Sequence, residues 1–178
     1  MRRSSAPRRP SCRRAAALAL ACALLAGCAA SVPVPRESTV LTTPRMLHVV
    51  QERPGEPAAD TMLVVQPEGR GTRWSLFDPL GAPRARQILE NGQWRNDGFL
   101  PPNDSARALF AALIFAWTPQ AELASRYGEA NLKLRDRSRV LTADGRPILT
   151  VNTLPNGDLQ LLLDDGTRYV VAPLKEKP

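Results

Sequence analysis

The chain has 178 residues, 43% apolar and 23% charged, enough for one globular domain with its own core and too few for several. Its formal net charge is +7, but six of the 24 Lys and Arg precede Cys28, so 18 face the 17 Asp and Glu that follow it. A near-neutral remainder lacks the basic face with which a nucleic-acid binder displaces phosphate counterions, so no nucleic-acid partner is expected.

Residues 1–27 have the three parts of an export signal: Arg2, Arg3, Arg8, Arg9, Arg13 and Arg14, an apolar run from Ala15 to Ala26, and a small residue, Gly27. Twelve helical residues reach about 18 Å, short of a roughly 30 Å hydrocarbon core, which argues against a retained span. Arg13-Arg14 is followed by three alanines rather than a twin-arginine pattern, so ordinary Sec export is expected. Leu25-Ala26-Gly27-Cys28 resembles the lipobox of bacterial lipoproteins. The resemblance implies cleavage before Cys28 and a diacylglycerol on its thiol. It also implies a further acyl group, such as palmitate, on the new amino terminus. Several chains on one residue give stable anchoring where a single chain is marginal. Cys12 and Cys22 leave with the leader, so the mature chain cannot form an internal disulfide. Ala29 rather than Asp after the cysteine implies, by the sorting rule of such lipoproteins, the periplasmic face of the outer membrane.

Residues 28–45, the lipidated Cys28 with Pro33, Pro35 and Pro44, read as a flexible tether reaching about 55 Å when extended. A single domain is expected over 46–178. Period-two alternation between turn signals predicts strands over Met46–Arg53, Thr61–Gln66, Thr72–Asp78, Arg84–Glu90 and Gln93–Asn96. The last two are joined by Asn91-Gly92, whose residues tolerate the positive φ of a two-residue hairpin.

Pro101-Pro102 then stops the strands, and Asn103, Asp104 or Ser105 can cap a helix over Ala106–Trp117. At 100° per residue, Leu109, Phe110, Leu113, Ile114 and Trp117 share one arc, with Ala108, Ala111, Ala112, Phe115 and Ala116 opposite. A short second helix follows, with Thr118 as cap, Pro119 at its first position, and Leu123 and Tyr127 one turn apart. Strands resume over Leu132–Leu141, Ile148–Thr153, Leu159–Leu163 and Thr167–Ala172, joined at Asp144-Gly145, Asn156-Gly157 and Asp165-Gly166 as an antiparallel meander.

Two segments carry a family resemblance: Trp74-Ser75-Leu76-Phe77-Asp78-Pro79-Leu80-Gly81, and the capped helix, proline and second helix of Pro101–Leu123. On these, behind a lipidated cysteine, the chain resembles the LolB-like outer-membrane lipoproteins and a related set of proteobacterial lipoproteins. The resemblance implies an α+β fold, an antiparallel β-sheet half-barrel of the LolA/LolB kind with two short helices covering its concave face. It implies Leu80 at a loop tip as a membrane- or ligand-inserting residue, and delivery of cargo by a LolA-like periplasmic carrier.

Chemistry for catalysis is not recognisable. His48 is the single histidine, and neither a nucleophile elbow nor a phosphate loop occurs. Neither a catalytic residue, a metal ligand nor a cofactor is expected. Asp164-Asp165-Gly166 reads as a turn, and Arg135, Arg137 and Arg139 as a charged strand face. The function expected is lipid binding and transport, with an acylated ligand, a lipoprotein or a lipid, held in an apolar hollow. Trp74, Leu76, Ile88, Trp94, Phe110, Leu113, Ile114 and Trp117 are the candidates to line it. The alternative is an accessory lipoprotein with a filled core that holds a partner complex at the outer membrane.

Overall fold

A computed structural model describes residues 31–36 and 44–174. Cys28, the leader before it and the flanking parts of the tether lie outside the described residues. Ten strands form one open sheet in which every neighbouring pair is antiparallel. They are β1 (Arg45–Glu52), β2 (Ala59–Glu68), β3 (Gly71–Phe77), β4 (Pro83–Glu90), β5 (Gln93–Asn96), β6 (Leu132–Arg135), β7 (Ser138–Ala143), β8 (Arg146–Thr153), β9 (Leu159–Leu163) and β10 (Arg168–Pro173). Their spatial order is β5-β4-β3-β2-β1-β10-β9-β8-β7-β6, so the first and last blocks of chain join where β1 pairs with β10. Between the blocks lie α1 (Asp104–Trp117), α2 (Gln120–Tyr127) and a single 3-10 turn.

Register explains the inner face. Leu47 and Val49 of β1 sit level with Leu63 and Thr61 of β2 and with Pro173 and Val171 of β10; Val65 pairs with Trp74, and Leu63 with Leu76. In β1, β2 and β10 the buried Leu47, Val49, Leu63, Val65, Tyr169 and Val171 alternate with exposed or half-buried residues, the pattern of a sheet packed on one side, whereas in β3 Ser75 between Trp74 and Leu76 is buried as well. The helix α1 touches both halves of this face. Phe110 meets Trp94 of β5 with ring centroids 5.8 Å apart, and Arg139 of β7 donates to the carbonyls of Ala116 and Thr118 at 3.2 and 2.7 Å. Strands β5 and β7 are eight spacings apart, which laid flat would be roughly 38 Å at about 4.8 Å each. A single helix about 10 Å across reaches both only if the sheet bends around it.

Local chemistry sets the element ends. Asn103 caps α1, its side-chain oxygen accepting from the Ala106 N–H at 2.9 Å. Thr118 does not cap α2 as expected; its hydroxyl donates back to the Ile114 carbonyl at 2.7 Å and closes α1 instead. Asn91-Gly92 and Asp144-Gly145 have positive φ at both residues, as a tight two-residue hairpin turn needs. At Asn156-Gly157 and Asp165-Gly166 only the glycine is positive, and these turns belong to longer loops.

Two further expectations are corrected. The long strand Leu132–Leu141 is a hairpin, with Arg135 paired to Ser138 across Asp136-Arg137. That turn contains no positive φ and no glycine, so it carries none of the usual signals. Arg135, Arg137 and Arg139 therefore do not share a strand face, and Arg139 serves α1. The tether is not free along its whole length. Val32 is buried in the main core, Val34 is packed against it, and Ser31–Arg36 lies along the fold. The helix α1 is buried on its alanine side as well: Ala111, Ala112 and Phe115 are enclosed, Phe115 meeting Tyr127 of α2 edge-on at 5.0 Å.

Candidate functional site

The helix-bearing face brings together most of the residues expected to line a hollow. Trp74 stacks on Trp117 at 5.8 Å, meets Phe110 at 5.2 Å and stands edge-on to Trp94 at 6.0 Å. Leu113 is fully buried and Leu76 and Ile114 nearly so in the same core. The guanidinium of Arg45 lies 4.6 Å over the Trp117 ring and closes that end. These four rings, from β3, β5 and α1, fill the space between the helix and the β5 end of the sheet.

Ile88 does not belong to this group. Its cross-strand neighbours are Arg73 and Arg95, which puts it on the outer face, and it is absent from the core cluster. Its burial comes from an ionic lattice: Glu68 to Arg73 at 2.9 Å, Arg73 to Asp97 at 2.9 Å, and Arg86 to Asp97 at 3.0 Å. The residue of β4 that points inward at this level is Gln87, opposite Trp74. Both amide atoms of Gln87 and the indole nitrogen of Trp74 are buried without hydrogen-bond partners. Sequence reasoning passed over Gln87 because a polar residue between apolar neighbours reads as the outward one.

Two of the hollows among the described residues flank the amino-terminal half of α1. The first is a largely apolar, half-open groove of about 430 Å³ between the edge strand β5 and α1, lined by Trp94, Ala108 and Ala111 and by Ser31, Val32, Pro33 and Val34, with the charged Asp104 and Arg107 also on its wall. Ala108 and Ala111 leave room along α1, and Val32, buried in the core, and Val34, packed against it, line the other side of the groove. Its size falls in the range of small-molecule pockets. Pro35 and Arg36 then pass the Asn91-Gly92 turn so closely that a Cβ on Gly92 would lie 2.8 Å from the Arg36 Cα.

The second hollow, about 270 Å³, opens at the start of α1 between Leu76, Leu109 and Ala106 on the apolar side and Arg53, Arg84, Asn103, Ser105 and Tyr169 on the polar side. Arg53 donates to the Ser105 hydroxyl at 2.7 Å, and the Tyr169 hydroxyl points to the Ser105 carbonyl at 3.5 Å. Burial pushes the Tyr169 phenol up to about 12, against the pull of the Arg53 charge. The Tyr127 phenol behind α1 is likewise pushed up to about 12 by burial, the Thr118 contact and the Arg126 charge opposing.

Leu80 is 94% exposed at the tip of the β3–β4 hairpin. The tip is rigidly built: the Asp78 carboxylate accepts from the Leu80 and Ala82 N–H groups at 3.0 and 2.9 Å. Phe99, in the β5–α1 connection, is as exposed as a free side chain at 109% and was not singled out from sequence. Its signal, an aromatic between Gly98 and Pro101-Pro102 with no alternating partner, was present but unread.

On the outer face His48 lies 2.8 Å from the Asp60 carboxylate, both side chains open to solvent. Among the described residues no group of three or more His, Cys, Asp or Glu is placed to hold a metal ion. No helix among them is long and apolar enough to cross a membrane. No protein-family model and no curated protein matches this chain.

Proposed function

We propose that the chain is a lipoprotein of the outer membrane, anchored through acyl chains on Cys28 at the periplasmic face, whose LolA/LolB-like half-barrel takes up the acyl chain of a lipidated ligand. The observation that carries this reading is the largely apolar, half-open groove of about 430 Å³ beside Trp94, Ala108 and Ala111, lined on its other side by a segment of the chain itself. An acyl tail needs area and shape rather than convergent polar groups, and each methylene withdrawn from water contributes about 0.8 kcal/mol. The cargo site is the groove between β5 and α1, outside the packed rings of Trp74, Phe110 and Trp117. The tail enters by displacing Val32 and Val34. Leu80, at its rigid tip, contacts the bilayer during transfer from a LolA-like carrier.

The reading is tested by producing the Cys28→Ser soluble form in cells and extracting it with organic solvent. A stoichiometric amphiphile, or uptake of one from a loaded periplasmic carrier, is expected. Neither bound amphiphile nor transfer would overturn it. The four packed rings favour a second reading, an accessory lipoprotein that holds a partner complex at the membrane. One stoichiometric protein partner captured without lipid would favour that role.

A further inference from the structure

From the exposed loop tips and the course of the Ser31–Arg36 segment, we infer that one end of the sheet is a membrane-docking rim in which Phe99 is a second point of insertion. This rests on the membrane-anchored reading above and adds to it an orientation and a residue.

Strand β3 ends at Phe77 and β4 begins at Pro83, so the Leu80 hairpin caps that end of the sheet. Strand β5 pairs antiparallel to β4 and therefore runs the same way as β3, delivering Asp97–Asn103 to the same end. The connection is tied there at both sides, by the Asp97 N–H to the Arg86 carbonyl at 3.0 Å and the Asn103 amide to the Arg84 carbonyl at 3.3 Å. Phe99 and Leu80 thus project from neighbouring strands at one rim. Arg84 beside them is exposed and has no ion-pair partner among the described residues, a charge suited to anionic headgroups.

The amino-terminal segment points the same way. Pro35 and Arg36 lie at the Asn91-Gly92 turn, the opposite end of β4 and β5, and the groove that Ser31–Val34 lines runs from Gly92 to Asp104 at the start of α1. From Arg36 back to Ser31 the segment follows this groove, one end of which is the start of α1. Cys28 is three residues before Ser31, within about 11 Å by chain length. Acyl chains on Cys28, as proposed above, are then compatible by tether length with a bilayer at the rim that carries Phe99 and Leu80.

The occupant is a lipid surface rather than a protein. Two separate protruding tips supply far less than the roughly 800 Å² per side of a stable protein interface, yet each can sink singly into a deformable apolar medium.

The mature acylated chain has no free thiol once Cys28 is modified, so Phe99→Cys, Leu80→Cys and Asn156→Cys each accept one nitroxide. Asn156 lies in the β8–β9 loop at the far end and reports the reverse orientation. In vesicles of phosphatidylethanolamine and phosphatidylglycerol, labels at 99 and 80 should relax with oxygen and be shielded from a water-soluble nickel chelate, with the label at 156 reversed. A label at 99 as open to nickel as that at 156 overturns the inference, and if 80 is still shielded the Leu80 contact survives alone. Failure of the acylated chain to float with vesicles overturns both. As a second measure, Phe99→Ser in the Cys28→Ser form should lower vesicle partitioning by about ten- to hundredfold with an unchanged circular dichroism spectrum. Unchanged partitioning also counts against Phe99.

Discussion

If the Val32–Val34 segment and an acyl tail compete for one channel, loosening the segment should tighten ligand uptake while weakening the fold. The double variant Val32→Ala, Val34→Ala in the Cys28→Ser background is the direct perturbation. Val32 is buried and loses two methyl groups, about 1.6 kcal/mol, and half-buried Val34 loses roughly half as much. The docking equilibrium should therefore shift by about 2 kcal/mol, or about thirtyfold. Where docked segment blocks ligand, the apparent Kd falls in proportion to the competent fraction gained. A fluorescent fatty-acid titration should thus show affinity rising by up to about thirtyfold, while hydrogen exchange at the Gly92–Trp94 backbone speeds up. Faster exchange with unchanged or weaker fatty-acid binding would refute the competition and with it the location of the cargo site.

Leu80→Glu should leave stability within about 0.5 kcal/mol, because the side chain touches nothing, yet abolish delivery of cargo to the membrane; normal delivery by a folded variant would remove Leu80 from the mechanism. Gln87→Met should raise Tm by several degrees, since it withdraws two buried amide atoms that lack partners; a lower Tm in thermal melts would mean the amide is hydrogen-bonded in solution. The two buried tyrosines set an alkaline limit. Unfolded phenols lose their protons near pH 10 and the folded ones near 12, so between these values the folded state binds more protons and stability falls as pH rises. Below pH 10 the contribution is complete. Urea unfolding at pH 9 and 11 should show the loss, about 1.4 kcal/mol per pH unit for each tyrosine, and Tyr127→Phe with Tyr169→Phe should flatten it.

The strand order was legible where turn chemistry punctuates it. Asn91-Gly92 and Asp144-Gly145 supply positive φ at both central residues, and the alternation on either side does the rest. The β6–β7 hairpin was not legible because Asp136-Arg137 turns without glycine, leaving Leu132–Leu141 as one apparent run. Periodicity failed at Gln87-Ile88-Leu89, where three consecutive residues are buried: tertiary packing places the glutamine inward, and the ionic lattice of Arg73, Asp97 and Arg86 covers the isoleucine outside. The docked segment was hidden by its own composition. Val-Pro-Val-Pro has too few residues to declare a period, and only the alanine channel of α1, distant in sequence, makes its two valines core residues. Trp74, Trp94, Phe110 and Trp117, expected to line a hollow, come together but pack on one another, a contact that helical spacing on α1 alone does not specify.

The central claim is that an acyl tail lodges between β5 and α1. It is tested most directly by a crystal structure of the Cys28→Ser form with a fatty acid brominated along its chain. The account predicts anomalous bromine peaks beside Trp94, Ala108 and Ala111, with Val32 and Val34 displaced. Bromine confined to the Leu80 and Phe99 tips, or absent while Val32 remains seated, would contradict it.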